Sequence, residues 1–175
     1  MTLSDLASIG SFLSGCAVLI SLMFLSVQIR QANKNQRAII QQGRATRIVD
    51  FVLNVAGPSL MPAWSAGLRG DHEIGPERHF QFMYIARARF ISFEDSYLQR
   101  RSGLMEEGAF LGHMNAFRHV FNAPGLRAAW KLTRNDYDPD FTKLVDGIAI
   151  EPLHDPASDL EHWLKAVDQE KLRVG

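Results

Sequence analysis

Leu6 to Ile29 is a run of 24 residues without a charge, and sixteen of them are apolar. The rest are five serines, two glycines and Gln28. As a helix the run is about 36 Å long, against a bilayer hydrocarbon core of about 30 Å. The pattern predicts a transmembrane helix. A cleaved signal peptide fits less well, because it needs a basic start and a small-residue cleavage site. Here Asp5 is the only charge ahead of the run, and Gln28-Ile29-Arg30-Gln31 ends it. An interfacial helix needs one polar face, whereas Leu13, Val18, Leu19, Ile20, Leu22, Met23, Phe24 and Leu25 surround the axis. A buried helix of a soluble protein seldom runs so far without a charge, although the serines and glycines do not exclude one.

The pattern changes after Ile29. No glycine or proline lies between Cys16 and Gln42, so the apolar helix is expected to continue as one rod and to stop before Gly57-Pro58. Ser59 to Gly70 reads as a short helix or turn around Leu60, Trp64 and Leu68. Pro76 suits a first helical turn. It opens a helix whose Met83, Ala86, Phe90, Phe93 and Tyr97 recur at spacings of 3 and 4, a packing seam that Gly103 ends. Phe110, Met114, Phe117 and Phe121 share one face of the next helix, Glu106 to Phe121. Pro124-Gly125 starts a short helix with Leu126, Ala129 and Trp130 on its apolar side. Asp138-Pro139 and Asp155-Pro156 are cap-plus-first-turn pairs. Phe141, Leu144, Val145 and Ile148 follow the first, and Leu160, Trp163, Leu164 and Val167 the second. Nothing alternates as strands do. The expected fold is all-α: a membrane helix (1–29), a basic juxtamembrane helix (30–57), a helical domain (58–150) and an acidic C-terminal helix (151–175).

Charge sets the expected topology. Lys+Arg and Asp+Glu both total 19, a balance that argues against a nucleic-acid partner. Arg30, Lys34, Arg37, Arg44 and Arg47 nevertheless follow the apolar run closely, and no basic residue precedes it. Positive charge marks the cytoplasmic side, which places the bulk of the chain in the cytoplasm and the N-terminus outside. Arg30, Lys34 and Arg37 are candidate contacts to anionic lipid. Arg44 and Arg47 lie further along the rod and are expected to face protein, with the acidic C-terminal segment as one choice. Ala7, Ser11 and Gly15 recur every four residues and could let two membrane helices approach, which permits a homodimer. This is not a clean GxxxG, and small residues are common in membrane helices in any case.

Candidate chemistry is sparse. Cys16 is the only cysteine, which removes disulfides and CxxC metal pairs. It lies in the apolar run, where desolvation makes it a poor nucleophile. His72, His79, His113, His119, Glu106 and Glu107 offer metal-ligand chemistry, but His113 and His119 are six apart and leave a helix on different sides. Glu94 and Asp95 are adjacent and diverge. Glu94 lies beside the aromatic seam and is expected to be partly buried and paired with Arg87 or another arginine. No nucleotide-binding or nucleophile-elbow motif is present, and neither a cofactor nor a metal is implied.

Several landmarks occur together. Val18 to Gln31 is an apolar helix running into Leu-x-x-Gln-Ile-Arg-Gln, and Lys34 to Ala38 continues it. Phe93-Glu94-x-x-Tyr97-x-Gln99 lies in a helix ending in Gly103. Pro124-Gly125-x-Arg127-x-x-Trp130 is a turn, and Phe141 with Leu144-Val145-Asp146 comes last. In this order they resemble a family of bacterial single-pass membrane-anchored helical proteins without an assigned activity, across residues 1–150. Ala129-Trp130 departs from that family's paired tryptophans, and the segment before Gly67 is looser than its Asn-Pro-Glu-Leu pattern. The resemblance implies the architecture and a bacterial inner-membrane location, and no chemistry. Two functions follow as expectations. The first is a membrane-anchored cytoplasmic binding or accessory protein with a protein partner or membrane complex. The alternative is a membrane-surface enzyme acting on lipid or a membrane-derived substrate. The C-terminal helix is expected to dock by its apolar face near Arg44 or Arg47.

Overall fold

A computed structural model describes residues 3–174, with the side chains of residues 5–7 and 174 outside the description. Helices make up the fold, and no strand occurs among the described residues. They are α1 (Leu3–Ala56), α2 (Met61–Arg69), α3 (Pro76–Arg101), α4 (Glu107–Phe121), α5 (Pro124–Thr133), α6 (Pro139–Ile148) and α7 (Ser158–Val174). A 3₁₀ turn, Arg134–Asp136, links α5 to α6. The chain forms two compact units, Met1–Thr46 and Arg47–Gly175.

The first unit is helix alone. Its apolar run has a mean hydropathy of 2.1 over its most apolar stretch, and none of that stretch is buried. The helix is long and apolar enough to cross a membrane. Ser8 and Ser21 donate their hydroxyls to the carbonyls of Ser4 and Ala17 one turn back. That satisfies the polar groups within the helix itself.

The second unit begins with the end of α1. Local chemistry sets its boundaries. Gly57 and Pro58 stop α1 at Ala56. Pro76 stands at the start of α3. Gly70 and Gly103 close α2 and α3 in the left-handed conformation, at φ of 67° and 69°, where a side chain would be strained. Asp138 caps α6 by accepting from the backbone N–H groups of Asp140 and Phe141. α7 starts later than Asp155-Pro156 suggests. The Asp155 carboxylate accepts from Ala157 N–H and its carbonyl from Ser158 N–H. These bonds build a turn, and the helix follows from Ser158.

The core is aromatic. Phe90 is 0% exposed and meets Phe117, Phe121, Trp130 and Tyr137 edge-on. Phe93 stacks on Phe117 with ring centres 4.0 Å apart. The expected seam faces inward: Ala86, Phe90 and Phe93 are buried, with Met83 and Tyr97 half-buried at its sides. Phe110, Phe117 and Phe121 of α4, Leu126, Ala129 and Trp130 of α5, and Phe141, Val145 and Ile148 of α6 complete the core. α2 packs on α3 and α5, and two glycines allow the approach. A Cβ on Gly67 would overlap the Phe82 ring, and one on Gly125 would overlap the Gly67 carbonyl.

α7 departs from expectation. Leu160 and Trp163 are 63% and 62% exposed, and Leu164 is exposed beside them. The apolar face that was expected to dock is uncovered. Its stripe is short and has acidic neighbours, and no buried residue lies on α7 among the described residues.

Candidate functional site

A groove of about 460 Å³ lies in the second unit between the end of α1 and the middle of α3. Arg47, Ile48 and Phe51 line one wall, and Ala88, Arg89, Ile91, Ser92 and Asp95 line the other. Both walls follow from helical spacing. Residues 47, 48 and 51 share one face of α1, and 88, 91, 92 and 95 share one face of α3.

The groove is apolar but carries one unbalanced cation. Arg47 donates to the Asp95 carboxylate at 2.8 Å, and Gln99 donates to the same oxygen at 2.8 Å. That carboxylate is therefore neutralised. Arg89 has no such partner among the described residues. Its guanidinium lies 5.7 Å from the centre of the Phe51 ring, a cation–π distance. Burial lowers its pKa from the ordinary arginine value, with no carboxylate acting against the shift. A guanidinium stays charged under such a shift. The groove thus offers apolar walls and a partly desolvated positive charge. It suits a group that is apolar over most of its surface and anionic at one point.

The sequence-expected residues are distributed as follows. Arg30, Lys34 and Arg37 are exposed on α1. Ser11 and Gly15 are exposed on the same helix, and nothing lies within 4 Å of a Cβ built on Gly15. The Ala7 side chain lies outside the described residues.

The expected Glu94–Arg87 pair does not form. The two residues are seven apart, so they share a face but sit two turns, about 10 Å, from each other. Arg87 instead meets Asp136 at 3.2 Å, with both side chains about half exposed. Glu94 is half-buried and accepts the backbone N–H of Asp138 at 2.6 Å. It ties α3 to the start of α6 as a hydrogen-bond acceptor. Arg47 faces protein, but its partner is Asp95 of α3 and not the acidic C-terminal segment.

Two polar clusters were not foreseen. Trp130 Nε1 donates to Asp146 at 2.9 Å, and Arg134 pairs with the other oxygen of that carboxylate at 2.7 Å. Near the end of α4, Arg127 donates to Asn122 and to the Glu151 carbonyl, while Arg118 meets the Glu151 carboxylate at 2.9 Å. These bonds fix the loop before α7. The Trp130–Asp146 spacing of sixteen residues has no local period, so only the fold brings the pair together. The pattern Pro124-Gly125-x-Arg127-x-x-Trp130 did mark both anchors, without revealing their partners.

Comparison with family models, curated proteins and solved structures gives no significant match for this chain.

Proposed function

We propose that the chain is a membrane-anchored binding protein whose helical domain receives a protein partner in the groove between α1 and α3. The observation that carries the reading is the helix α1, one continuous element from Leu3 to Ala56. Its fully exposed apolar stretch is suited to lipid, and its last turns form a wall of the groove. Positive charge after the apolar run supports a cytoplasmic domain with the N-terminus outside, at a bacterial inner membrane. Arg30, Lys34 and Arg37 then meet anionic head groups. The order of landmarks from Val18 to Asp146, and its resemblance to membrane-anchored helical proteins of bacteria, supports the same architecture.

The groove's chemistry indicates what it takes. Ile48, Phe51 and Ile91 favour an apolar side chain, and Arg89 favours a carboxylate beside it. The fitting ligand is an amphipathic segment of a partner with an acidic residue next to its apolar anchor, a mode of recognition that reuses helix-in-groove packing. Ile91 is exposed on α3 and available to such a segment.

The test is affinity purification from detergent-solubilised membranes, run in parallel with the unaltered chain and with Ile91→Asp and Arg89→Ala. A protein that co-purifies with the unaltered chain and is lost with both variants supports the groove. The same set of proteins with all three chains would overturn it.

A further inference from the structure

Outside the groove, the structure gathers His119 from the last turns of α4, His154 from the loop before α7 and Asp159 from the first turn of α7. One ligand atom from each lies within 4.8 Å of the other two. The Asp159 Oδ1 atom is 2.9 Å from His154 Nε2 and 3.7 Å from His119 Nε2. The two imidazoles lie with ring centres 4.5 Å apart, tilted by 43° to each other. In a tetrahedral zinc site, with bonds of about 2.0–2.1 Å, ligand atoms stand about 3.3 Å apart. The two separations from Asp159, 2.9 and 3.7 Å, bracket that value.

The contact is poorly explained as a hydrogen bond. His154 Nε2 is buried and makes none, although the carboxylate oxygen is at ion-pair distance. A cation seated among the three atoms would satisfy both groups.

The surroundings hold the ligands in place. The His154 backbone N–H donates to the Asn122 carbonyl at 2.9 Å, and the Asn122 side chain donates to Glu151 at 3.1 Å. Asp155 shapes the turn that carries the chain on to Asp159. α7, in contrast, leaves its apolar stripe of Leu160, Trp163 and Leu164 exposed. Asp159 approaches His154 and His119, and Ser158 bonds the Asp155 carbonyl.

We infer that His119, His154 and Asp159 form a binding site for a divalent transition-metal ion of the zinc class, which tethers α7 to the end of α4. Two imidazoles and one carboxylate select zinc-like ions over calcium or magnesium, which prefer all-oxygen shells. His119 and Asp159 are about half exposed, so a water completes the coordination. The tether fixes the direction in which the exposed Leu160, Trp163 and Leu164 point.

The sequence shows why the site escapes a motif search. His119 and His154 are 35 positions apart, and the closer pair, His154 and Asp159, lies across a turn and not on one helix face.

The test is zinc titration of the full chain in detergent, after removal of metal, with cobalt absorption as an independent reading of coordination. The expected result is one class of saturable site. His154→Ala and His119→Ala should each weaken it by about tenfold or more, and the double variant should abolish it. His162→Ala, one turn along α7 and outside the cluster, should bind as the unaltered chain does. Zinc should also slow amide exchange across residues 158–167 in the unaltered chain and not in His154→Ala. Circular dichroism checks that each variant keeps its helices, and His119 is exposed enough for replacement without loss of packing. No saturable binding, or binding equal in the unaltered chain and the double variant, would overturn the site and leave a close histidine–aspartate contact.

Discussion

The apolar part of α1 and the middle of α3 both carry large apolar side chains and dispose of them in opposite ways. In α3, Phe82, Ile85, Ala86, Phe90 and Phe93 are buried, and Arg78, Arg87 and Tyr84 take the outer face. In α1, Leu13, Leu19, Ile20, Met23 and Phe24 are all exposed. The difference lies in the arrangement of polar residues. α3 alternates apolar and charged positions with the helical period, so one face can be withdrawn from water while the other stays in it. The run in α1 has no polar face to leave behind, and none of its described residues is buried. A helix that is apolar all round needs a surrounding that is apolar all round. The comparison teaches that an apolar face alone does not set a helix's surroundings: the charged residues α3 keeps on its outer side, and the run in α1 lacks, decide whether it can lie half in water.

The largest expected effect tests the buried side. Phe90→Ala should lower the stability of the helical domain by about 3–5 kcal/mol, because a fully enclosed ring leaves a cavity that its neighbours cannot fill. Leu19→Ala should leave that stability unchanged. Chemical denaturation of the full chain in detergent, followed by far-UV circular dichroism, reads both. Equal losses would erase the distinction between the two helices.

A slightly smaller effect tests the exposed side. Leu19→Arg should cost about 2.5–3.5 kcal/mol of insertion free energy at the centre of a membrane span. The unaltered chain should stay with membranes through alkaline carbonate, and the Leu19→Arg, Phe24→Arg double variant should be released. Release of the unaltered chain would sink the anchor. A periplasmic signal from a C-terminal phosphatase fusion would reverse its orientation.

One substitution should act oppositely in the two regions. Gly125→Ala places a methyl group against the Gly67 carbonyl and should cost about 1–3 kcal/mol through forced separation of α2 and α5. Gly43→Ala meets nothing within 4 Å and should favour the helix by up to about 1 kcal/mol. Thermal melts of the two variants would show shifts of opposite sign. A tolerated Gly125→Ala would mean that the α2–α5 approach is looser than described.

The smallest effect concerns the cap of α6. The Phe141 backbone N–H, joined by that of Asp140 and by the Arg101 guanidinium, holds the Asp138 carboxyl below its ordinary value of 3.8. A depressed folded-state pKa stabilises above the unfolded value, and the contribution fades as pH falls through the folded value. Stability should therefore drop on acidification below about pH 4, and Asp138→Asn should flatten that slope. Melting temperature against pH reads it, and identical acid limbs would remove Asp138 as a contributor.

Much of this architecture was legible because helices are local. Pro76, Gly103, Pro124 and the Asp138-Pro139 pair announce their own boundaries through φ restriction and capping. The spacings from Met83 to Tyr97 and from Phe110 to Phe121 announce their buried faces. The misplaced features are those in which a residue had to choose among partners. Glu94 was close to arginines in sequence and chose a backbone N–H of α6. Arg47 faced several acidic segments and met Asp95. The stripe on α7 had the spacing of a core helix, yet the rings of α3 to α6 already fill the core.

The sequence by itself determined the length of the apolar run, the all-helical class and the inward faces of α3, α4, α5 and α6. Each of these depends on periodicity or on backbone restrictions within a few residues. Only the tertiary structure decided that Arg89 stands without a carboxylate over Phe51, that Trp130 donates to Asp146, and that His119 and His154 converge on Asp159. Such meetings join residues tens of positions apart, and chain folding brings them within ångströms through packing elsewhere. No local pattern encodes the distance between two side chains whose separation is set by the aromatic core between their helices.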